Sequence, residues 1–322
     1  MSRFLNTRVL VGSLMLLAML AGSPRAALAQ LNGFNIKGDM GLKSGSQAPP
    51  GGYIALFLYR YGADEIRNRS GDRLLPNADG DITVGLGAGL INVVTTKKLL
   101  GANYGFAAGP LVFLNSSLES PTFNQDPSAG FGDIFFMPIS LGWHATRADV
   151  TTSYSIFLPT GRYEAGADDN TGLGMTGHEV ALGTTVFLTE NKAFHAATNA
   201  AFEFHSGKED SDAKVGTMLT LEGGVGRDIL KGAGSIGLIY YAQWKLTDDT
   251  ITGLPGLLVE GKNRVFALGP EVTIPLATKA KLFGFFTFRY EWETYARTSL
   301  KGNTLAVMFT FLMKPMSLSP AK

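Results

Sequence analysis

The 322-residue chain has no cysteine, four histidines, three tryptophans and a charged fraction of only 17%. Without cysteine there is no disulfide scaffold, no thiol nucleophile and no thiolate-ligated zinc. Soluble domains carry about 25% charged residues, and the near balance of 28 basic and 27 acidic side chains leaves no basic footprint for nucleic acid. Helical periodicity is scarce, and no window beyond the first thirty residues holds the roughly 18 apolar residues of a spanning helix. Glycine is what the chain has in excess: 40 residues, beside a hydrophobic fraction of 45%. Many glycines with few charges argue against a helical enzyme and against disorder.

Arg3 and Arg8 precede an apolar run from Val9 to Ala21, and Ala27-Leu28-Ala29 follows. A basic start, a short apolar stretch and an A-x-A site describe a signal peptide over residues 1–29, with the mature chain starting at Gln30. Gly12 and Ser13 interrupt the run, which is too short to anchor the chain. Cleavage removes three arginines and no acid, leaving 25 basic side chains against 27 acidic. Residues 30–51 end in Pro49-Pro50-Gly51 and read either as a flexible periplasmic lead or as a plug folded back into a lumen.

From residue 52 the chain alternates segments rich in β-branched and aromatic residues with Gly, Asp, Asn and Pro. Strands are predicted at about 52–61, 81–95, 103–114, 131–143, 147–158, 176–188, 193–204, 215–226, 233–246, 262–274, 279–292 and 302–313. Most exceed the five or six residues of a globular strand and suit a tilted membrane strand. Their connections alternate short, as at 189–192 and 227–232, and long and polar, as at 62–80 and 159–175. The fold expected is all-β: an antiparallel transmembrane β-barrel of about 12 strands over 52–313, with short periplasmic turns, long extracellular loops and a tail at 314–322.

Faces follow from parity. Along 233–246 Tyr241, Gln243 and Lys245 share one face, and along 279–292 Thr287, Arg289 and Glu291 do so; charge places these faces in the lumen. Tyr240, Trp244, Tyr290 and Trp292 fall near strand ends on the opposite faces, where an interfacial girdle belongs. By the same rule Leu56, in line with Arg60, and Phe283 and Phe285, in line with Arg289, are expected to give the lumen a partly apolar lining. Such a lining suits either an apolar ligand or an internal plug. Leu56, Tyr241, Gln243, Lys245, Phe283, Phe285, Arg289 and Glu291 are therefore the candidate substrate-binding residues. Gly85, Gly87 and Gly89 share one face, expected to be lumenal and to make room for a plug or permeant, or else to bend the wall.

Chemistry-bearing motifs are few. Residues 172–177 match G-x-G-x-x-G, but they follow a loop and open a strand, the wrong setting for a dinucleotide site. His144, His178, His195 and His205 show no metal-ligand spacing, and no G-x-S-x-G elbow exists. No catalytic residue, metal or cofactor is expected. Asp168-Asp169, Glu209-Asp210-Asp212 and Asp248-Asp249 fall in extracellular loops and read as solvated acids. Asp133, beside two glycines, is expected to cap backbone amides at the rim.

One block is familiar. Gly130-Phe131-Gly132-Asp133 leads into Pro138 and Leu141-Gly142-Trp143-His144, and then come Phe157-Leu158-Pro159-Thr160-Gly161-Arg162-Tyr163, Asn170 and Gly172. This resembles the outer-membrane meta-pathway of phenol degradation family, relatives of the fatty-acid and aromatic-hydrocarbon channels. The resemblance implies a monomeric barrel in the bacterial outer membrane that passes small hydrophobic, often aromatic, compounds. Its partners would be outer-membrane lipid and lipopolysaccharide, a small hydrophobic molecule and the barrel-assembly machinery. Family barrels often finish on an aromatic residue, whereas this chain runs past Phe309 and Phe311 to Lys322. A structural or adhesive barrel and a general polar porin are the competing readings.

Overall fold

A computed structural model describes residues 32–73, 81–120, 123–125, 127–165, 167, 169–250 and 262–317. The expected signal peptide at 1–29 and residues 318–322 of the expected tail at 314–322 lie outside them, while 314–317 continue the last strand. Thirteen strands follow in chain order: β1 (Gly51–Arg67), β2 (Asp81–Leu99), β3 (Ala102–Ser120), β4 (Phe123–Gln125), β5 (Gly130–His144), β6 (Ala148–Leu158), β7 (Gly177–Phe187), β8 (Phe194–His205), β9 (Met218–Ile229), β10 (Gly234–Lys245), β11 (Arg264–Ala277), β12 (Lys281–Arg297) and β13 (Ser299–Ser317). β4 only lengthens the hairpin at the end of β3. The other twelve pair antiparallel with their neighbours, and β1 pairs with β13, so the sheet closes without an edge. The expected twelve-stranded barrel is what the chain forms.

At one end the links are short. Leu100 and Gly101 join β2 to β3 with φ of 51° and 81°, the double positive φ that a two-residue hairpin demands. Leu230–Gly232 forms a single 3-10 turn between β9 and β10. The opposite end carries the long connections, with one exception that corrects the expectation. β12 and β13 are joined by Thr298 alone, at φ 50°. The sequence reading stopped the strand at 292, started the next at 302 and placed a long polar link between them. In a barrel, a polar residue of inward parity can prolong a strand, as buried Glu293 does, and the outward Lys301 is held by Glu65 at 3.6 Å. β1 likewise runs on to Arg67, where Glu65 binds Arg67 and Arg73.

The outer surface is a belt of exposed apolar side chains, including Ile54, Ile91, Phe136, Leu182, Val225 and Leu238. On a water-soluble domain so much exposed apolar surface would aggregate; on a closed barrel it is the lipid-facing band. Aromatic contacts cluster toward the long-loop end of β10–β12, where Trp244 meets Phe266, Phe266 stacks on Tyr295, and Tyr290 meets Trp292. This is where a headgroup-level girdle forms.

Register overturns two expected faces. In β1 the buried row is Tyr53, Phe57, Tyr59, Tyr61 and Ala63, while Ile54, Leu56, Leu58 and Arg60 are exposed. Leu56 pairs with Phe309 and Gly89 on the outer face, so it does not line the lumen. Arg60 misdirects the parity argument because its long stem lets the guanidinium reach polar surroundings from an outward position; it donates to Thr83 at 3.3 Å. Gly85, Gly87 and Gly89 pair with Arg60, Leu58 and Leu56 and are outward too. A methyl at Gly87 or Gly89 would make ordinary contact, at 3.9 Å, with a Leu58 or Leu56 methyl, which places these glycines on the belt beside the leucines.

This assignment is testable through Leu56. Leu56→Arg is expected to destabilise the inserted barrel by about 2–4 kcal/mol if the position sits near mid-bilayer, measured by urea unfolding in lipid vesicles. A lumenal position would tolerate the change.

Candidate functional site

The inner surface divides by strand. β13, β1 and β2 contribute Ala306, Phe57, Tyr59, Tyr61, Ile82 and Ala88, an apolar cluster flanked by Leu86, Leu90, Met308, Leu111 of β3 and Ile36 of the segment ahead of β1. β8 to β12 contribute Glu203, Glu222, Glu271, Arg289, Glu291 and Glu293, all buried. Isolated buried carboxylates are costly and need partners, and here most partners come from the segment ahead of β1.

Residues 32–50 form no strand and no helix, so their amides need acceptors inside the barrel. Phe34 N–H and Asn35 N–H donate to the two oxygens of Glu203, the latter at 2.9 Å. Gly38 and Met40 N–H donate to Glu222 at 2.6 and 3.2 Å, and Leu42 N–H to Glu271 at 3.2 Å. Arg289 donates to Glu271 at 2.7 Å and to the Asp39 carbonyl. Lys37 pairs with Glu293 at 2.6 Å and Lys43 with Asp228 at 2.8 Å. Ser46 donates to Asp149 at 2.7 Å, and Gln47 to Ser140 at 3.0 Å. Each bond to a charged group is worth about 1.5–3 kcal/mol, and together they clamp the segment inside the lumen. Two glycines show how close the fit is. Gly38 has φ of 84°, and a methyl on Gly41 would fall on the Glu271 carboxylate.

The long-loop end is closed by apolar contacts. Phe34 stacks on Phe157 with centroids 4.6 Å apart, and Met175, Ala213 and Val215 from the β6–β7 and β8–β9 loops bury themselves against the pair. Leu111 packs against this cluster and also against the one on β1 and β2, so apolar contact is continuous from the loops to the inner wall.

The Gly-Phe-Gly-Asp and Leu-Pro-Thr-Gly-Arg motifs hold that closure in place. Buried Asp133 accepts Gly161 N–H at 3.0 Å and Leu173 N–H at 2.9 Å, the capping role expected of it. Thr171 donates its hydroxyl to the Phe131 carbonyl at 2.7 Å and accepts Arg162 N–H at 3.1 Å. Gly161 and Gly172 cross backbone on backbone, where a methyl on Gly161 would lie 2.7 Å from the Gly172 Cα. Lys208 lies over the Tyr163 ring at 5.2 Å and donates to the Leu173 carbonyl at 2.6 Å. Burial pushes its ammonium down to about 8, against the opposing pull of Asp133 and Asp249.

Of the eight candidate residues, Tyr241, Gln243, Lys245, Arg289 and Glu291 are buried inward, and Phe285 faces Thr310 on the inward row. Tyr241 donates to Glu293 at 2.8 Å and Gln243 to Thr220 at 3.1 Å, while Lys245 pairs with Asp249 of the next loop at 2.6 Å. Leu56 is outward, and a bulge between Leu282 and Gly284 takes Phe283 out of the inward row to an exposed position beside the short turn. The sequence reading missed Tyr59, Tyr61, Glu222, Glu271 and Glu293, all of inward parity in their strands. Among the described residues no group of three His or carboxylate side chains is placed to hold a metal. His205 instead bonds Glu203, and His144 pairs with Asp149 at 3.1 Å.

Comparison with known proteins agrees with this architecture. A family model described as "Putative MetA-pathway of phenol degradation" matches residues 63–309. The COG4313 outer membrane channel from Pseudomonas putida F1 superposes with a TM-score of 0.71 at 13% identity, covering 87% of this chain and 100% of that one. The beta domain of the Bordetella autotransporter BrkA gives 0.50 at 14% identity, over 82% of this chain and 100% of that chain. The Ralstonia pickettii toluene transporter TbuX gives 0.40 at 11% identity, over 92% and 94%. No curated protein sequence matches.

Two outcomes follow from the packing. Gly41→Ala is expected to displace the clamped segment and raise single-channel conductance several-fold over wild type in planar bilayers. Lys208 has a packed-state value of about 8, below the 10.5 of a free lysine. The opened loop therefore holds a proton that the packed loop lacks, and packing strengthens as pH rises from about 7 to 9.5. Hydrogen exchange of the Leu173–Lys208 amides, corrected for base catalysis, should slow over that range in wild type and stay flat in Lys208→Met.

Proposed function

The chain belongs to the MetA-pathway of phenol degradation family of outer-membrane channel barrels, and from that premise we propose that it admits small hydrophobic, chiefly aromatic, compounds by passive movement. The observation that carries this reading is the continuous apolar contact from Met175 and Val215 at the loops, through Phe34, Phe157 and Leu111, to Phe57 and Tyr59 on the inner wall. A polar porin needs a wet, charged constriction; here the buried carboxylates are taken by the residue 32–50 segment, and the wall that its Ile36 meets on β1 to β3 is greasy. Low-affinity apolar contact is enough for permeation, because the lipopolysaccharide leaflet is the barrier such compounds otherwise meet. Phe285, Tyr241, Gln243, Lys245, Arg289 and Glu291 serve this path in two ways. Phe285 extends the apolar lining, and the polar members hold the clamped segment, the loops or a ring substituent.

The test is uptake of a dilute apolar aromatic by intact cells with and without the gene, repeated after the outer membrane is permeabilised. Faster uptake confined to intact cells supports the reading, and equal uptake in both overturns it. Leu111→Lys, at the junction of the two clusters, is expected to slow uptake about tenfold, equivalent to about 1.4 kcal/mol of lost apolar contact. Heat-modifiable electrophoretic mobility would show that the variant barrel still assembles.

A further inference from the structure

The most specific constellation in the lumen surrounds the Lys37 ammonium. It lies over the Tyr61 ring at 4.5 Å and near the Tyr241 ring at 5.8 Å, with Glu293 at 2.6 Å. Glu293 is fully buried, and its oxygens also accept the Tyr61 hydroxyl at 2.9 Å, the Tyr241 hydroxyl at 2.8 Å and Gly302 N–H at 2.6 Å. Small residues on the intervening strands make the arrangement possible. Ala267 pairs with both Tyr241 and Glu293, and Gly302 pairs with Ala63 beside Tyr61, so two tyrosines can lean over one carboxylate.

Two aromatic faces around a buried carboxylate are the chemistry that recognises an organic ammonium group. We infer that the Tyr61–Tyr241–Glu293 cage is a binding site for the cationic head of an amphiphilic amine, held shut in this structure by Lys37 as the chain's own surrogate ligand. The inference deepens the channel reading and rests on it, since it names a substrate class for the same lumen. Tyr61 and Tyr59 belong to the apolar cluster with Phe57 and Ile82, so a hydrocarbon chain attached to the caged head has an apolar wall beside it. Removing Lys37 from the cage leaves Glu293 only neutral donors, which favours a replacement cation over an empty site. The exchange needs only a side-chain rotation, because the backbone on either side of Lys37 is held separately by Glu203, Glu222 and Glu271.

The test is calorimetric binding of benzyltrimethylammonium to the full-length barrel in lipid nanodiscs, with empty nanodiscs as blank. Lys37→Met is expected to bind at least about tenfold more tightly than wild type, and Lys37→Met/Glu293→Gln to lose that gain. Lys37→Ala should behave like Lys37→Met, and slow exchange of the Gly38 and Leu42 amides would show that the segment stays seated. Equal affinity in wild type and both Lys37 variants overturns the inference, as does undiminished binding when Glu293→Gln is added. Uptake of a neutral aromatic by the same variants separates the two readings. If it persists while amine affinity fails to rise, the amine site falls and the channel stands. If neutral uptake is absent even in wild type, the channel reading falls, while nanodisc binding still decides whether the cage takes an amine.

Discussion

The interior depends on an exchange between backbone amides without secondary structure and buried wall carboxylates whose acceptor capacity the wall itself does not fill. Neither could be buried alone. The amides of residues 34–42 have no strand or helix to satisfy them, and Glu203, Glu222 and Glu271 would be expelled from a dry lumen without donors. Joined, they convert two costs into a set of short charge-assisted bonds at 2.6–3.2 Å. A twelve-stranded barrel is wider than its own side chains can fill, and this pairing is how the surplus width is taken up.

The division of the lumen follows from that pairing. Because the clamped segment meets the carboxylates of β8 to β12 with its amides, its Ile36 side chain can turn to the phenylalanine, tyrosine and leucine wall of β1 to β3. Phe34, at the start of the segment, passes from one regime to the other: its amide binds Glu203 while its ring stacks on Phe157 under the loops. One residue thus ties the carboxylate clamp to the closure of the mouth. Displacing the segment would therefore disturb the loop packing as well as widen the lumen.

Much of this was legible in the sequence. Strand length and the alternation of link lengths announced the barrel and its strand number, because both are imposed by the bilayer. Parity was reliable wherever a strand carried several polar residues on one face, as with Tyr241, Gln243 and Lys245. It failed on β1, where the only charge within the predicted span, Arg60, sits on the outer face, and the inward polarity is carried by the hydroxyls of Tyr59 and Tyr61. It failed at Phe283 because a bulge shifts the count by one, and nothing in the local sequence marks the bulge. The long link expected before β13 was lost for the opposite reason. Glu293 looks like loop until a buried acceptor is needed there.

The partners of Glu293 show what a one-dimensional reading cannot reach. Lys37, Tyr61, Tyr241 and Gly302 lie up to 256 positions from it in the chain, and each is unremarkable in its own segment. Only closure of the barrel puts β1 beside β13 and folds the segment ahead of β1 onto β12, so that four donors converge on one carboxylate. The family-like motifs around residues 130–174 behave differently. They are compact in sequence because Asp133 binds the Gly161 and Leu173 amides and Thr171 binds Phe131 and Arg162, stitching the mouth from within one block. The residues easiest to recognise therefore hold the channel's closure, and the residues that give the lumen its chemistry are spread over strands that only the closed sheet unites.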